Sequence, residues 1–204
     1  MIAFELGDRD VAAIAAAVEA ADLVLLGGGG LFQDTLAFDP DAILTPRHHG
    51  ISYYGGIPLL SAAFGTPCAL YAVGVGPLTT EAGRAGTRAA VERAALVTVR
   101  DAASKATLVD LGVDAFRVHV TADPANRLPP AVPARAEEIV ARAGLDTARP
   151  RLGIALRHWE IGVDPAAWEQ QAALAVDEFL ETHGGVAVFV PFQALDDSLT
   201  NDVA

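Results

Sequence analysis

Four glycines in a row, Gly27-Gly28-Gly29-Gly30, follow the short apolar run Leu23-Val24-Leu25-Leu26. Glycines placed just after a buried strand let backbone N–H groups come close to an anion or a sugar. Open α/β sheets bind their ligands at that carboxyl edge. The run is no dinucleotide fingerprint: counted from Gly27 and Gly29 the third glycine position holds Phe32, and counted from Gly28 and Gly30 it holds Gln33. No Gly-Lys-Ser/Thr follows, so it is no phosphate-binding P-loop either. Gln33 and Asp34 come next. They can orient a hydroxylated substrate or move a proton, or Asp34 can simply cap the following segment.

Three further charged clusters stand where strands should end. Val99-Arg100-Asp101 is followed by Ser104, and Asp123-Pro124 follows Val118-His119-Val120. Leu156-Arg157-His158-Trp159 closes a third apolar run. Arginine suits a two-pronged grip on carboxylate or phosphate. In each cluster an internal ion pair or a helix cap is the plain alternative, and in the last a core tryptophan. Arg100 and Asp123, at the ends of different strands, are expected to converge on one crevice. Arg47-His48-His49 before Tyr53-Tyr54 reads as a polar loop and gives a poor metal signal, since adjacent histidines point different ways. Gly50-Ile51-Ser52-Tyr53-Tyr54 lacks the last glycine of a hydrolase elbow.

The elements that must position these groups alternate. Apolar runs at 23–26, 69–73, 96–99 and 118–120 predict strands buried on both faces, and 56–64, 80–94 and 103–111 predict the helices between them. A first helix is expected through Val11, Ile14, Val18 and Ala21, capped by Asp8 or Asp10. The fold class is therefore α/β, with a parallel sheet and right-handed crossovers. Pro129, Pro130 and Pro133 mark a break in composition. Beyond it, a helix over 134–143, a strand over 152–156, a helix over 165–179 and a strand over 186–190 begin a second α/β unit. The expected division is a Rossmann-like domain over 1–128, and a linker with the beginning of another over 129–204.

Composition narrows the classes of function. The 204 residues carry 14 basic and 26 acidic side chains, a formal charge of −12. That balance argues against nucleic acid or an anionic membrane as principal partner. Cys68 is the single cysteine, so neither a disulfide framework nor a cysteine-built metal site is expected. No apolar run approaches the roughly 20 residues of a membrane span, and no signal peptide opens the chain, so a cytoplasmic protein is expected.

Taken in order, the strand-end segments resemble the polysaccharide pyruvyltransferase family. They run from Asp22-Leu-Val-Leu-Leu-Gly-Gly-Gly-Gly-Leu-Phe-Gln-Asp34 through Tyr71-Ala-Val-Gly-Val-Gly-Pro77, Val97-Thr-Val-Arg-Asp101 and Leu111-Gly-Val113. Val120-Thr-Ala-Asp-Pro124, Ile154-Ala-Leu-Arg-His-Trp159 and Val190-Pro-Phe-Gln193 complete the series, from about residue 20 to the end. The resemblance implies two Rossmann-like domains facing a cleft, as in two-domain glycosyltransferases. It implies transfer of the enolpyruvyl unit of phosphoenolpyruvate to two sugar hydroxyls of a cell-surface polysaccharide, forming a pyruvate ketal. Phosphoenolpyruvate would be the donor, with a saccharide acceptor, no separate cofactor, no metal and peripheral association with a lipid-linked glycan. Arg100 and Arg157 would hold the donor's carboxylate and phosphate, with Asp123 and Gln33 beside them. Gly28, Gly29, Gly30 and Asp34 would wall the cleft, and Asp34, His48, His49 or His158 would act in proton transfer. Family members open with a further strand and glycine-rich loop and carry an Arg-Leu-His segment after the point where this sequence stops, so both domains are expected to be incomplete. Rival expectations are a nucleotide-sugar glycosyltransferase and a non-catalytic remnant; the failed glycine fingerprint speaks against a nicotinamide oxidoreductase.

Overall fold

In the computed structural model the described residues are 11–35, 39, 44, 51–145, 148–156 and 162–190. The chain divides into two compact units, Met1–Leu128 and Pro129–Ala204. In the first, α1 (Val11–Ala20) buries Ile14 and Val18, one helical turn apart, as the apolar stripe requires. They pack with Ile57 against Val24, Leu26 and Leu60. The sheet contains β1 (Val24–Gly27), β2 (Gly30–Phe32), β3 (Cys68–Val75), β4 (Leu96–Val99) and β5 (Val118–Val120), all parallel. Its order is β1-β3-β4-β5, with β2 also against β3.

Between β2 and β3 lie the short α2 (Ile51–Tyr54) and α3 (Gly56–Phe64); α4 (Glu81–Arg93) links β3 to β4, and α5 (Ala102–Asp110) links β4 to β5. Every crossover steps the same way across the sheet, so right-handed connections place these helices on one face. Leu70, Val73, Val97, Val99 and Val118 point into that layer and meet Ala90, Val91 and Leu108 from the helices. In register on the opposite face stand Leu25, Tyr71 and Leu96, each about half exposed or more.

Two irregularities lie side by side in this sheet. Gly28 and Gly29 have φ of 88° and 71°, the left-handed region that favours glycine. They break the edge between β1 and β2, which then resumes along the same neighbour, and Gly74 N–H donates to the Gly29 carbonyl at 2.8 Å. The glycine run thus makes a kink within a strand edge. Across β3, Tyr71 and Ala72 together oppose Thr98 in a β-bulge. Ala72 takes a φ of 51°, its N–H donates to Thr98 Oγ1 at 2.7 Å, and that hydroxyl donates to the Leu70 carbonyl at 3.1 Å. The extra residue resets the alternation, so Val73 returns to the core and Gly74 turns to the opposite face.

The second unit comprises α6 (Pro133–Arg142), β6 (Arg151–Ile154), α7 (Pro165–His183) and β7 (Val186–Phe189), with β6 and β7 parallel. Asp164 caps α7 through Ala166 N–H, with Pro165 in the first turn where its missing N–H costs nothing. The helix runs four residues beyond the expected Phe179 and stops at Gly184, whose φ is 60°. Arg149 then donates to the Gly184 and Gly185 carbonyls at 2.8 and 2.6 Å, satisfying the turn into β7. Among the described residues of this unit only Ile154 is a buried hydrophobic.

Candidate functional site

The site is built where β2, β3 and β4 end. β4 ends at Val99 and Arg100 follows it; the next residue, Asp101, caps α5, accepting from Ser104 N–H at 2.7 Å. Ser104 is buried, and its hydroxyl accepts from Val75 N–H at 3.0 Å, tying the start of α5 to the last residue of β3. The backbone and side-chain bonds from Ser104, and then the charge of Arg100, hold the Asp101 carboxyl below its ordinary value. Asp101 is therefore anionic over the whole physiological range.

Arg100 lies on the open face and is 37% exposed. Its guanidinium rests against Gly74: a Cβ added there would stand 2.9 Å from Nε and 3.0 Å from Cζ. Gly30 pairs with Gly74 in the ladder and lies 3.8 Å from the guanidinium by the same measure. Asp101 Oδ2 and Asp123 Oδ2 flank the cation, each at 3.5 Å. Those contacts are long for charge-assisted bonds, so the described residues leave most of the five N–H donors of Arg100 for another partner. Asp123 also accepts from Ala125 N–H at 3.0 Å, capping the single turn Pro124–Arg127. The expected convergence of Arg100 and Asp123 is thus seen, and Asp101 and Asp123 serve as caps and ion-pair partners at once.

A second cluster surrounds Asp34. Its carboxylate accepts from Thr79 N–H at 2.7 Å and Thr80 N–H at 2.6 Å, and from both threonine hydroxyls at 3.1 and 2.7 Å. Thr80 in turn caps α4 through Gly83 N–H at 3.0 Å. A methyl group on Gly83 would run into the Asp34 carboxylate, so glycine is needed there for close approach. Burial pushes the Asp34 carboxyl up, but the bonds from Thr79 and Thr80 outweigh it and hold it below its ordinary value. Such a group stays ionised near neutrality and is a poor proton donor. Gln33 is half-buried beside it, and its carbonyl accepts from Ile51 N–H at 3.4 Å, which sets α2 against the kinked edge.

Of the four glycines, Gly27 is required by contact, since a side chain would meet the Tyr71 carbonyl at 2.8 Å. Gly28 and Gly29 are favoured by their positive φ, with no described residue within 4 Å of an added Cβ, and both are exposed. Cys68 is buried, and that burial raises its thiol to about 11, which removes it as a nucleophile. His48, His49, Arg157 and His158 lie outside the described residues. Among the described residues no group of three His, Cys, Asp or Glu side chains could hold a metal, and no helix is long and apolar enough to cross a membrane.

Sequence reasoning missed Gly74, Thr98, the Thr79–Thr80 pair and Gly83. Gly74 had a signal, a glycine inside a central strand, which marks a bulge or a close approach. Thr80 had one too, as a capping residue three before Gly83.

Comparison with known proteins agrees with this architecture. A solved structure of UDP-GlcNAc 2-epimerase from Neisseria meningitidis, bound to UDP-GlcNAc, matches with a TM-score of 0.51 at 12% identity. The match covers 93% of this chain and 49% of that one, so the chain spans about half the length of the structure it resembles. At that identity the likeness shows the fold, a Rossmann-like α/β architecture, and nothing of the ligand. No curated protein matches the sequence. The sequence profile of polysaccharide pyruvyl transferases matches residues 3–204, nearly the whole chain, and the protein belongs to that family.

Proposed function

We propose that this chain contributes the donor side of a pyruvyl transfer from phosphoenolpyruvate to two hydroxyls of a saccharide. The observation that carries the reading is the Arg100 guanidinium, laid across Gly74 beside Gly30 with most of its donors left unoccupied by the described residues. Phosphoenolpyruvate presents a carboxylate and a phosphate, and a partly exposed arginine at a sheet's carboxyl edge suits either. In the reaction a proton adds to the donor's methylene carbon, giving an oxocarbenium-like centre at C2. One hydroxyl oxygen attacks that centre and loses its proton. The second hydroxyl oxygen then displaces phosphate and loses its proton, the phosphate leaves with its C–O bond electrons, and the product is the cyclic ketal of pyruvate.

Arg100 would neutralise the donor as charge shifts onto the leaving phosphate. Asp34, ionised and fully engaged, would act as a positioning residue that fixes the start of α4 against the kinked strand edge. The proton would then come from elsewhere, and His48, His49 and His158 remain the proposed donors, with Arg157 a second anion ligand. Asp123 would be the counter-ion that the donor displaces.

Thermal stability with added phosphoenolpyruvate tests this, with UDP-GlcNAc and NAD as controls. A rise with phosphoenolpyruvate that is absent in Arg100→Ala supports the reading. A rise with UDP-GlcNAc alone favours the nucleotide-sugar alternative, which the bound ligand of the matching epimerase structure makes the natural control.

A further inference from the structure

We infer that Gly74 is a positioning residue for Arg100, and that the Thr98-pinned bulge in β3 exists in this sheet to place it; the inference rests on the donor-binding reading above. Without the extra residue, strict alternation would send position 74 to the core face with Leu70 and put Val73 opposite Arg100. With it, Val73 and Val75 are both buried in the core and Gly74 comes round beneath the guanidinium. The bulge is held in an uncommon way. Ala72 is a non-glycine residue at a φ of 51°, and it is fully buried. Such a conformation persists only where the surroundings enforce it. Thr98 does so from the neighbouring strand, accepting the Ala72 N–H and donating to the Leu70 carbonyl, which the bulge would otherwise leave without their ladder partners.

The consequence is a flat seat. Even the smallest side chain at 74 would place a carbon 2.9 to 3.0 Å from three atoms of the guanidinium, Nε, Cζ and Nη2, closer than such atoms tolerate. The arginine would have to lift off the strand and swing, with Asp101 and Asp123 as the nearest anions to receive it. A guanidinium paired closely with one of those carboxylates is no longer free to grip a ligand in two-pronged fashion. Gly74 therefore selects the arginine's geometry without touching the ligand, and the bulge selects Gly74.

Phosphoenolpyruvate binding to the 204-residue chain by titration calorimetry, in wild type, Gly74→Ala, Arg100→Ala and the double variant, tests the inference. The expected result is a loss of about tenfold or more in affinity for Gly74→Ala, with no further loss when Gly74→Ala is added to Arg100→Ala. Melting temperature supplies the second arm: the flexible guanidinium can move aside, so Gly74→Ala should lower it little, and whatever it loses should shrink when Arg100→Ala removes the clash. If Gly74→Ala is too unstable to titrate, that rescue in the double variant still decides the matter. Equal affinity in Gly74→Ala and wild type, or additive losses in the double variant, would overturn the positioning role. No phosphoenolpyruvate binding by wild type would instead overturn the donor-binding reading, while the rescue arm would still report on the seat.

Discussion

The two units of this chain share their elements and differ in what those elements bury. In the first, among the described residues, five parallel strands carry helices on one face and twenty hydrophobic residues are buried, Phe32, Leu70 and Leu108 among the largest. In the second, two strands and two helices leave Ile139, Leu174 and Val190 exposed and bury Ile154 alone among the described residues. Two paired strands offer little area to pack against, and three or more are generally needed for independent stability. The anion grip proposed for Arg100 needs a rigid frame, which the first unit supplies. Stability and function should therefore both be far more sensitive to substitution there.

The largest expected effect is in the core. Leu70→Ala, at a fully buried position of the central strand, should cost about 2–5 kcal/mol, while Leu174→Ala on α7 should stay within about 0.5 kcal/mol. Chemical denaturation of the two variants measures the contrast, and similar losses would break the comparison.

Next comes the Asp34 clasp. Asp34→Ala leaves Thr79 and Thr80 donors without an acceptor and should cost about 1–3 kcal/mol. The effect has a pH signature. The folded-state pKa lies below the ordinary 3.8, so the ionised carboxylate stabilises the fold at neutrality, and that contribution fades as the pH drops below about 4. Denaturation of wild type against Asp34→Asn at pH 7 and at pH 3 should show the gap narrowing on acidification. A widening gap would mean the carboxyl is protonated in the fold.

The smallest is at the kink, where Gly29→Ala should cost about 1 kcal/mol from its φ of 71° alone, since no described residue crowds the position. A loss several times larger, read in the same denaturation assay, would mean that the space above the kink is filled.

Much of this frame was legible in the sequence. Apolar runs bounded by glycine or by charged residues gave β1, β4 and β5 to within a residue and β3 two residues short at its end. The expectation that all four are buried on both faces failed, because the helices cover one face and β1, β4 and β5 leave residues exposed. Arg100 and Asp123 were visible because charge at the end of such a run is conspicuous. What escaped depended on partners distant in sequence. β2 exists only because the edge of β3 extends past Gly29, and three residues carry no pattern of their own. The bulge at Ala72 is enforced by Thr98, 26 residues away, and an alanine gives no local hint of a positive φ. Asp34 read equally well as a cap or a reactive group, and its bonds to Thr79 and Thr80, 45 and 46 residues on, show a third use, a clasp between a strand edge and a helix start.

On the proposed reading, the carboxyl edge of the first sheet offers Arg100 to an anionic donor. Calorimetric titration of phosphoenolpyruvate into wild type and Arg100→Ala addresses it most directly. Saturable binding by wild type, weakened by about tenfold or more in Arg100→Ala with the melting temperature nearly unchanged, is the predicted result. Binding of equal strength in both proteins would contradict it, placing the donor on some other group of the chain.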